Sequence, residues 1–131
     1  MAFETIAAGD QSGMSGGQLQ LLKLDTQAKW EEFWSRHQSV VTPQPDVPAV
    51  DFSREMVIAV MDKQESSGGF GIEITDIEDE GGRLVVRVSK QVPGSDCIVT
   101  AVITQPFHIV RTAGSDLEPE LMISEETYSC G

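Results

Sequence analysis

Apolar and polar positions along the chain predict a series of short β-strands and one helix. Residues 56–61 form a continuous apolar run bounded by charged residues, typical of a central strand covered on both faces. Shorter apolar stretches predict strands at 3–8, 18–24, 97–104 and 107–111, with a weak edge strand at 121–123. The stretch at 97–104 is nearly all apolar and β-branched, so we expect that strand to be buried.

The helix is predicted over residues 26–38, where Asp25 or Thr26 caps its start. Its apolar face consists of aromatic residues at i, i+3, i+4 and i+7, which are Trp30, Phe33, Trp34 and His37. Large aromatics at this spacing usually anchor a lone helix to a core. We therefore expect this face to pack on the sheet, with His37 near the carbonyl groups that end the helix.

A β-hairpin is predicted in the middle of the chain. Apolar and polar residues alternate over 70–74, and the phase changes at Ile77, which suggests a bulge or the end of the strand. Gly81 and Gly82 supply the turn, and residues 83–90 return as the partner strand. These elements predict one α+β domain over residues 1–131, a mainly antiparallel sheet or compact sandwich with the tryptophan-bearing helix packed on it.

The charge balance argues against nucleic acid as a partner. Asp and Glu number 21 against 9 Lys and Arg, for a net charge of −12, and such a surface repels phosphate backbones. No apolar run approaches the roughly 20 residues of a membrane span. The amino terminus has no signal-peptide pattern, so we expect a cytoplasmic protein, or alternatively an exported mature domain without its signal peptide.

The two cysteines, Cys97 and Cys130, form no CxxC pair. Cys130 lies beside the chain end, where order is usually lost, so both thiols are expected to stay unbridged. Cys97 is expected to be a small buried hydrophobe. A single disulfide is the alternative.

No catalytic, cofactor or metal site is expected. Ser12 lies in a glycine-rich segment, but the residue order does not fit a nucleophile loop, and the only histidines are His37 in the helix and His108 in a strand. His108 is expected to be a strand residue with one satisfied hydrogen bond. The acidic group at the hairpin lacks a calcium-loop pattern and suits a solvated tip; it comprises Asp76, Glu78, Asp79 and Glu80.

Three stretches carry a family resemblance: VDFSREMVIA at 50–59, GGFGIEI at 68–74, and Cys97 followed by TQPFHIV at 104–110. Their order and spacing resemble the PrcB C-terminal domain family, over a core of about residues 50–111 and with the preceding tryptophan segment. That family is named for a non-catalytic subunit of a bacterial surface protease complex. The resemblance implies a domain that associates with other proteins, a protease among them, and brings no catalytic residues.

The function predicted is a non-enzymatic interaction domain, a protease-associated accessory or inhibitor-like module. Its contact site is predicted at Gly68, Gly69 and Phe70, where an adaptable loop presents an aromatic anchor. Phe70 starting the core face of its strand is the alternative. The alternative function is a small-ligand binding protein, whose pocket would lie between helix and sheet near Trp30, Trp34 and Phe107.

Overall fold

The computed structural model describes residues 1–14 and 16–131. Within these ranges strands dominate, with one α-helix and a single 3₁₀ turn. The strands are Phe3–Gly9 (β1), Gln20–Leu24 (β2), Glu55–Met61 (β3), Gly71–Asp79 (β4), Leu84–Pro93 (β5), Phe107–Ala113 (β6) and Pro119–Tyr128 (β7). The helix α1 is Gln27–His37, and the 3₁₀ turn Gln38–Val40 follows it directly.

The strands form two sheets stacked on each other. The first has the order β1-β6-β3-β2 and is antiparallel throughout. The second has the order β4-β5-β7, in which β4 and β5 are antiparallel and β5 and β7 are parallel. With α1 on the outer face of the first sheet, the fold is the α+β sandwich that the sequence predicts.

Strand β3 supplies the middle layer of this sandwich. Its neighbours are β6 and β2, and its residues from Met56 to Met61 are almost completely buried. Because alternate side chains point to opposite faces, one set packs with the aromatic residues of α1 and the other with apolar residues of β4 and β5. The first set is Val57, Ala59 and Met61, and the second is Met56, Ile58 and Val60.

The helix buries the face that its spacing predicts. Its start is capped by Thr26, whose hydroxyl oxygen accepts a hydrogen bond from the Lys29 amide at 3.2 Å. The indole N–H groups of Trp30 and Trp34 donate to backbone carbonyls of the proline-rich connector, at 2.9 and 3.1 Å. The buried residues of this face are Trp30, Phe33, Trp34 and His37.

The hairpin β4–β5 is confirmed, with Gly81 and Gly82 at φ of +64° and +86° in its turn. Such values favour glycine, because a side chain there meets its own backbone. The register shift falls between Ile74 and Asp76, before the expected position at Ile77. The edge strand expected at residues 121–123 is the much longer β7.

The prediction of a buried strand at residues 97–104 is wrong. This segment, here called the arm, forms no strand beyond a single bridge between Thr104 and Glu65. Ile98 is fully exposed, and Ile103 is 63% exposed. The expected burial assumed that a β-branched apolar run packs in a core, but both faces of β3 are already covered by other elements.

Candidate functional site

The arm presents an exposed apolar surface. It crosses from the end of β5 towards the start of β6 and carries several exposed aliphatic side chains. They are Ile98, Val99, Val102 and Ile103. Exposed apolar groups clustered within six positions of a loop are typical of a protein contact surface.

Backbone hydrogen bonds fix the arm against the segment that precedes β4. Glu65 and Thr104 exchange amide-to-carbonyl bonds of 2.8 and 3.0 Å, and the Gly68 amide donates to the Thr100 carbonyl at 2.9 Å. The Thr104 hydroxyl donates to the Ser67 carbonyl at 2.8 Å. The two segments therefore run side by side, and the arm is held in place although its side chains from Ile98 to Ile103 are exposed.

A disulfide between Cys97 and Cys130 fastens the start of the arm to the end of the chain. The expectation of two unbridged thiols is therefore wrong, as is that of Cys97 as a simple buried hydrophobe. Its premise was a loose chain end, yet the Asp96 carboxylate accepts hydrogen bonds from the Ser129 hydroxyl at 2.7 Å and from the Cys130 and Gly131 amides at 2.9 Å. The Ser129 bond is the main reason that the pKa of Asp96 is lowered.

The predicted contact residues lie directly beside the arm. Gly68 is buried, and a Cβ there would lie 2.4 Å from the Thr100 hydroxyl oxygen. Gly69 is exposed with φ of +95°, and its carbonyl accepts a hydrogen bond from the Tyr128 hydroxyl at 2.5 Å. The glycines thus allow close packing of loop against arm and β7, whereas the sequence suggested an adaptable loop.

Phe70 is half-buried and follows this glycine pair. The Lys90 ammonium lies 5.7 Å from the centre of its ring, within the range of a cation–π interaction. Ile72 and Ile74, further along β4, belong to the core between the sheets. Phe70 therefore lies between that core and the exposed Gly69.

A buried cluster of three charged side chains lies beside the loop that carries Gly68 and Gly69. The Lys90 ammonium lies 2.8 Å from a Glu65 carboxylate oxygen and 3.1 Å from one of Asp62. Burial, and next the hydrogen bond with Glu65, raise the pKa of Asp62 to about 6. Burial alone would lower the pKa of Lys90, but its bonds to the two carboxylates outweigh this and raise it. The cluster joins β5 to the loop that carries Gly68 and Gly69.

His108 lies in a cleft between β1 and β4. Its Nε2 is 2.8 Å from the Thr5 hydroxyl, and its Nδ1 accepts the Ile74 amide at 2.9 Å. The cleft has a volume of about 440 Å³ and is lined also by Phe3 and Glu73. Burial lowers the pKa of His108. The expected strand histidine is present, with two hydrogen-bond partners where one was predicted.

Ser12 and His37 are brought together by the fold, although their sequence positions gave no sign of it. The Ser12 hydroxyl lies 2.8 Å from His37 Nδ1, and both residues are buried. His37 therefore contacts Ser12 through its ring, where we expected helix carbonyl groups. Its Nε2 has no hydrogen-bond partner among the described residues, so the carboxylate that would orient a catalytic base is missing there.

The predicted ligand pocket near Trp30, Trp34 and Phe107 is occupied by the protein's own rings. The His37 ring meets Phe107 edge-on at 4.3 Å and lies 5.5 Å from Trp34, while Trp30 and Trp34 are 5.4 Å apart. A smaller hollow of about 170 Å³ lies nearby, between α1 and β2.

The carboxylates of the hairpin are partly paired with Arg87, which lies 2.7 Å from Glu80 and 3.8 Å from Asp76. Within the described ranges, no group of three or more His, Cys, Asp or Glu side chains is placed to hold a metal ion. Among the same residues, no helix has the length and apolar character needed to cross a membrane.

The family model described as PrcB C-terminal matches residues 56–113. This match confirms the resemblance drawn from the sequence, which was placed over about residues 50–111. The matched segment runs from β3 through β6, so it contains the arm and the three predicted contact residues, whereas α1 and β7 lie outside it. No curated protein and no solved structure gives a significant match to the chain.

Proposed function

We propose that this chain is a non-enzymatic protein-interaction domain that serves as a protease-associated accessory or inhibitor-like module. Its residues 56–113 match the PrcB C-terminal family model. The protease association rests on the family alone. The contact surface is the arm together with Gly68, Gly69 and Phe70. The disulfide of Cys97 and Cys130 favours an exported domain, since disulfides persist in oxidising compartments.

The observation that carries this proposal is the exposure of apolar side chains on a segment whose backbone is fixed. Ile98 and Ile103 project from an arm held by the disulfide at one end and by the Glu65 bridge at the other. A loop fixed in advance loses little conformational entropy on binding. Burying each isoleucine against a partner would contribute about 2 kcal/mol.

The test compares the wild-type chain with a double variant, Ile98→Ser with Ile103→Ser, and with Phe70→Ala. Val40→Ser is the matched control, because Val40 is 57% exposed and lies on the 3₁₀ turn after α1. Each chain is immobilised, proteins of the native host are captured and identified, and the affinity of a purified partner is measured by calorimetry.

We expect the double variant to lose about a hundredfold or more in affinity, while Val40→Ser changes it by less than about threefold. Phe70→Ala should lower affinity and leave the unfolding midpoint nearly unchanged. Equal affinities for the double variant and the control would disprove the proposed surface. A large loss of stability in Phe70→Ala would assign this ring to the core.

The His108 cleft favours a second candidate, binding of a small ligand. It combines apolar walls from Phe3 and Ile74 with polar groups from Thr5 and Glu73, as ligand sites commonly do. A library of small polar aromatic compounds can be screened by thermal shift on wild type and on Thr5→Val. A compound that stabilises only the wild type would support this candidate, and no stabilisation by any compound would count against it.

A further inference from the structure

The outer edge of β7 is an open strand edge. Pro119–Tyr128 pairs with β5 on one side, and in the described ranges no strand pairs with its other side. Every residue from 120 to 128 is exposed. Edge strands are usually protected by charged side chains along the strand, lysines above all, by internal prolines or by bulges. β7 contains no lysine, its proline stands at the first position, and its register with β5 is unbroken over ten residues.

The side chains of β7 form an apolar centre between acidic ends. Leu121, Met122 and Ile123 are 37%, 54% and 45% exposed. Glutamates precede and follow this centre, at positions 118, 120, 125 and 126. From Gly114 to Gly131 the chain contains no lysine or arginine. Arg83 lies 3.0 Å from the Glu120 carboxylate and compensates that charge. The edge therefore presents a strand-length strip that is apolar in the middle and has, among the described residues, uncompensated glutamates at 118 on one side and at 125 and 126 on the other.

This charge pattern disfavours a second copy of the chain as the occupant. If two β7 strands pair antiparallel with their apolar centres in contact, Glu120 faces Glu125 in one register. In the other two registers Glu118, just before β7, comes opposite Glu125 or Glu126. Like charges directly opposite destabilise a strand pair. The net charge of −12 adds repulsion between copies. An extended segment with apolar residues between lysines or arginines is complementary instead.

We propose that the outer edge of β7 accepts an extended cationic segment of a partner protein as an added strand. The segment's apolar residues would cover Leu121, Met122 and Ile123, and its basic residues would lie beside the flanking glutamates. Backbone hydrogen bonds give affinity in this mode, and side-chain complementarity gives specificity. The inference rests on the proposed role in protein contact but uses a surface other than the arm.

The test uses three dye-labelled synthetic peptides and fluorescence anisotropy. The first alternates threonine with valine and isoleucine between paired lysines, the second replaces its lysines with glutamate, and the third keeps the lysines but carries an N-methyl group on every amide between them. The third peptide separates strand addition from attraction to an acidic protein, because it retains the charge and cannot donate backbone hydrogen bonds. We expect it and the glutamate peptide to bind about tenfold or more weakly than the first.

Two variants of the chain locate the binding. Met122→Lys places a cation in the apolar centre, and Val40→Lys makes the same charge change at an exposed valine of the 3₁₀ turn. A double change, Glu125→Lys with Glu126→Lys, removes one acidic end without touching the core. Met122→Lys and the double variant should each weaken the first peptide about tenfold, and Val40→Lys less than about twofold. Thermal melts identify any variant that fails to fold.

Equal binding of the lysine and N-methyl peptides, or equal losses in Met122→Lys and Val40→Lys, would overturn the inference. So would the absence of binding by the lysine peptide. The Ile98→Ser and Ile103→Ser double variant keeps β7 intact and should bind the peptide as wild type does. Partner capture that depends on the arm without peptide binding would leave the proposed function standing and disprove only the β7 site.

Discussion

Replacing His37 with asparagine removes a buried titratable ring from the helix core and keeps a nitrogen near the position of Nδ1, so that the contact with Ser12 can persist. His37 is 1% exposed and packs among Phe33, Trp34 and Phe107. Burial disfavours its charged form and lowers its pKa from 6.5 to about 4. This shift links the stability of the fold to pH.

The direction of this pH dependence follows from proton binding to the folded and unfolded chains. Because the folded pKa lies below the unfolded one, the unfolded chain takes up the proton first as the pH falls. The stability that the neutral His37 contributes is intact above pH 6.5 and is lost progressively as the pH falls to the folded pKa of about 4. Between pH of about 7 and about 4.5, the linkage relation gives a loss of about 2 kcal/mol from this single group.

The assay is urea unfolding of wild type and His37→Asn at both pH values, followed by tryptophan fluorescence. The quantity compared is the change in unfolding free energy with pH, so any constant cost of the substitution cancels. His108, whose pKa is also lowered, and Asp62, whose raised pKa acts in the opposite direction, are present in both proteins. If both proteins lose the same free energy on acidification, His37 is not a buried neutral histidine and the reasoning is refuted.

Three further outcomes are expected. Trp34→Ala should cost about 3 to 5 kcal/mol of stability, because the ring is 5% exposed, and an unchanged urea midpoint would contradict its burial. Without reductant the denatured chain should show no reactive thiol, and detection of two thiols would disprove the bridge. Replacing both cysteines with serine should lower the free energy of unfolding by about 3 to 4 kcal/mol, because the bridge closes a long loop. Gly69→Ala should destabilise the fold more than Gly82→Ala. Both glycines have positive φ, but only at Gly69 would the added Cβ meet a neighbour, the Val99 side chain at 2.9 Å. Equal losses of stability in the two variants would count against close packing of loop and arm.

The sequence pattern predicted the structure correctly where contacts between residues close in sequence determine it. The helix could be predicted from its aromatic spacing and Thr26 cap, and the hairpin from Gly81 and Gly82. The apolar run of β3 correctly indicated a strand covered on both faces. In each case the periodicity and the local hydrogen bonding agree with the tertiary packing.

Contacts between distant residues could not be predicted in this way. Ser12 meets His37, and Lys90 meets Asp62 and Glu65, only because separate elements fold together. A position near the chain end predicts a loose Cys130, but the Asp96 carboxylate accepts hydrogen bonds from the Ser129 hydroxyl and from the Cys130 and Gly131 amides. Local periodicity cannot predict such pairings, because they depend on how the two sheets and the connecting loops pack together.

The arm shows why an apolar run has two interpretations. A β-branched stretch such as residues 97–104 lowers its free energy by losing contact with water, and a core is one means of doing so. In this fold the two faces of β3 are filled by α1 and by β4 with β5, so the arm has no core left to enter. A disulfide and paired backbone then hold Ile98 and Ile103 in water, where burial requires a second molecule. The apolar run that predicted a buried strand is therefore the main support for the proposed contact surface.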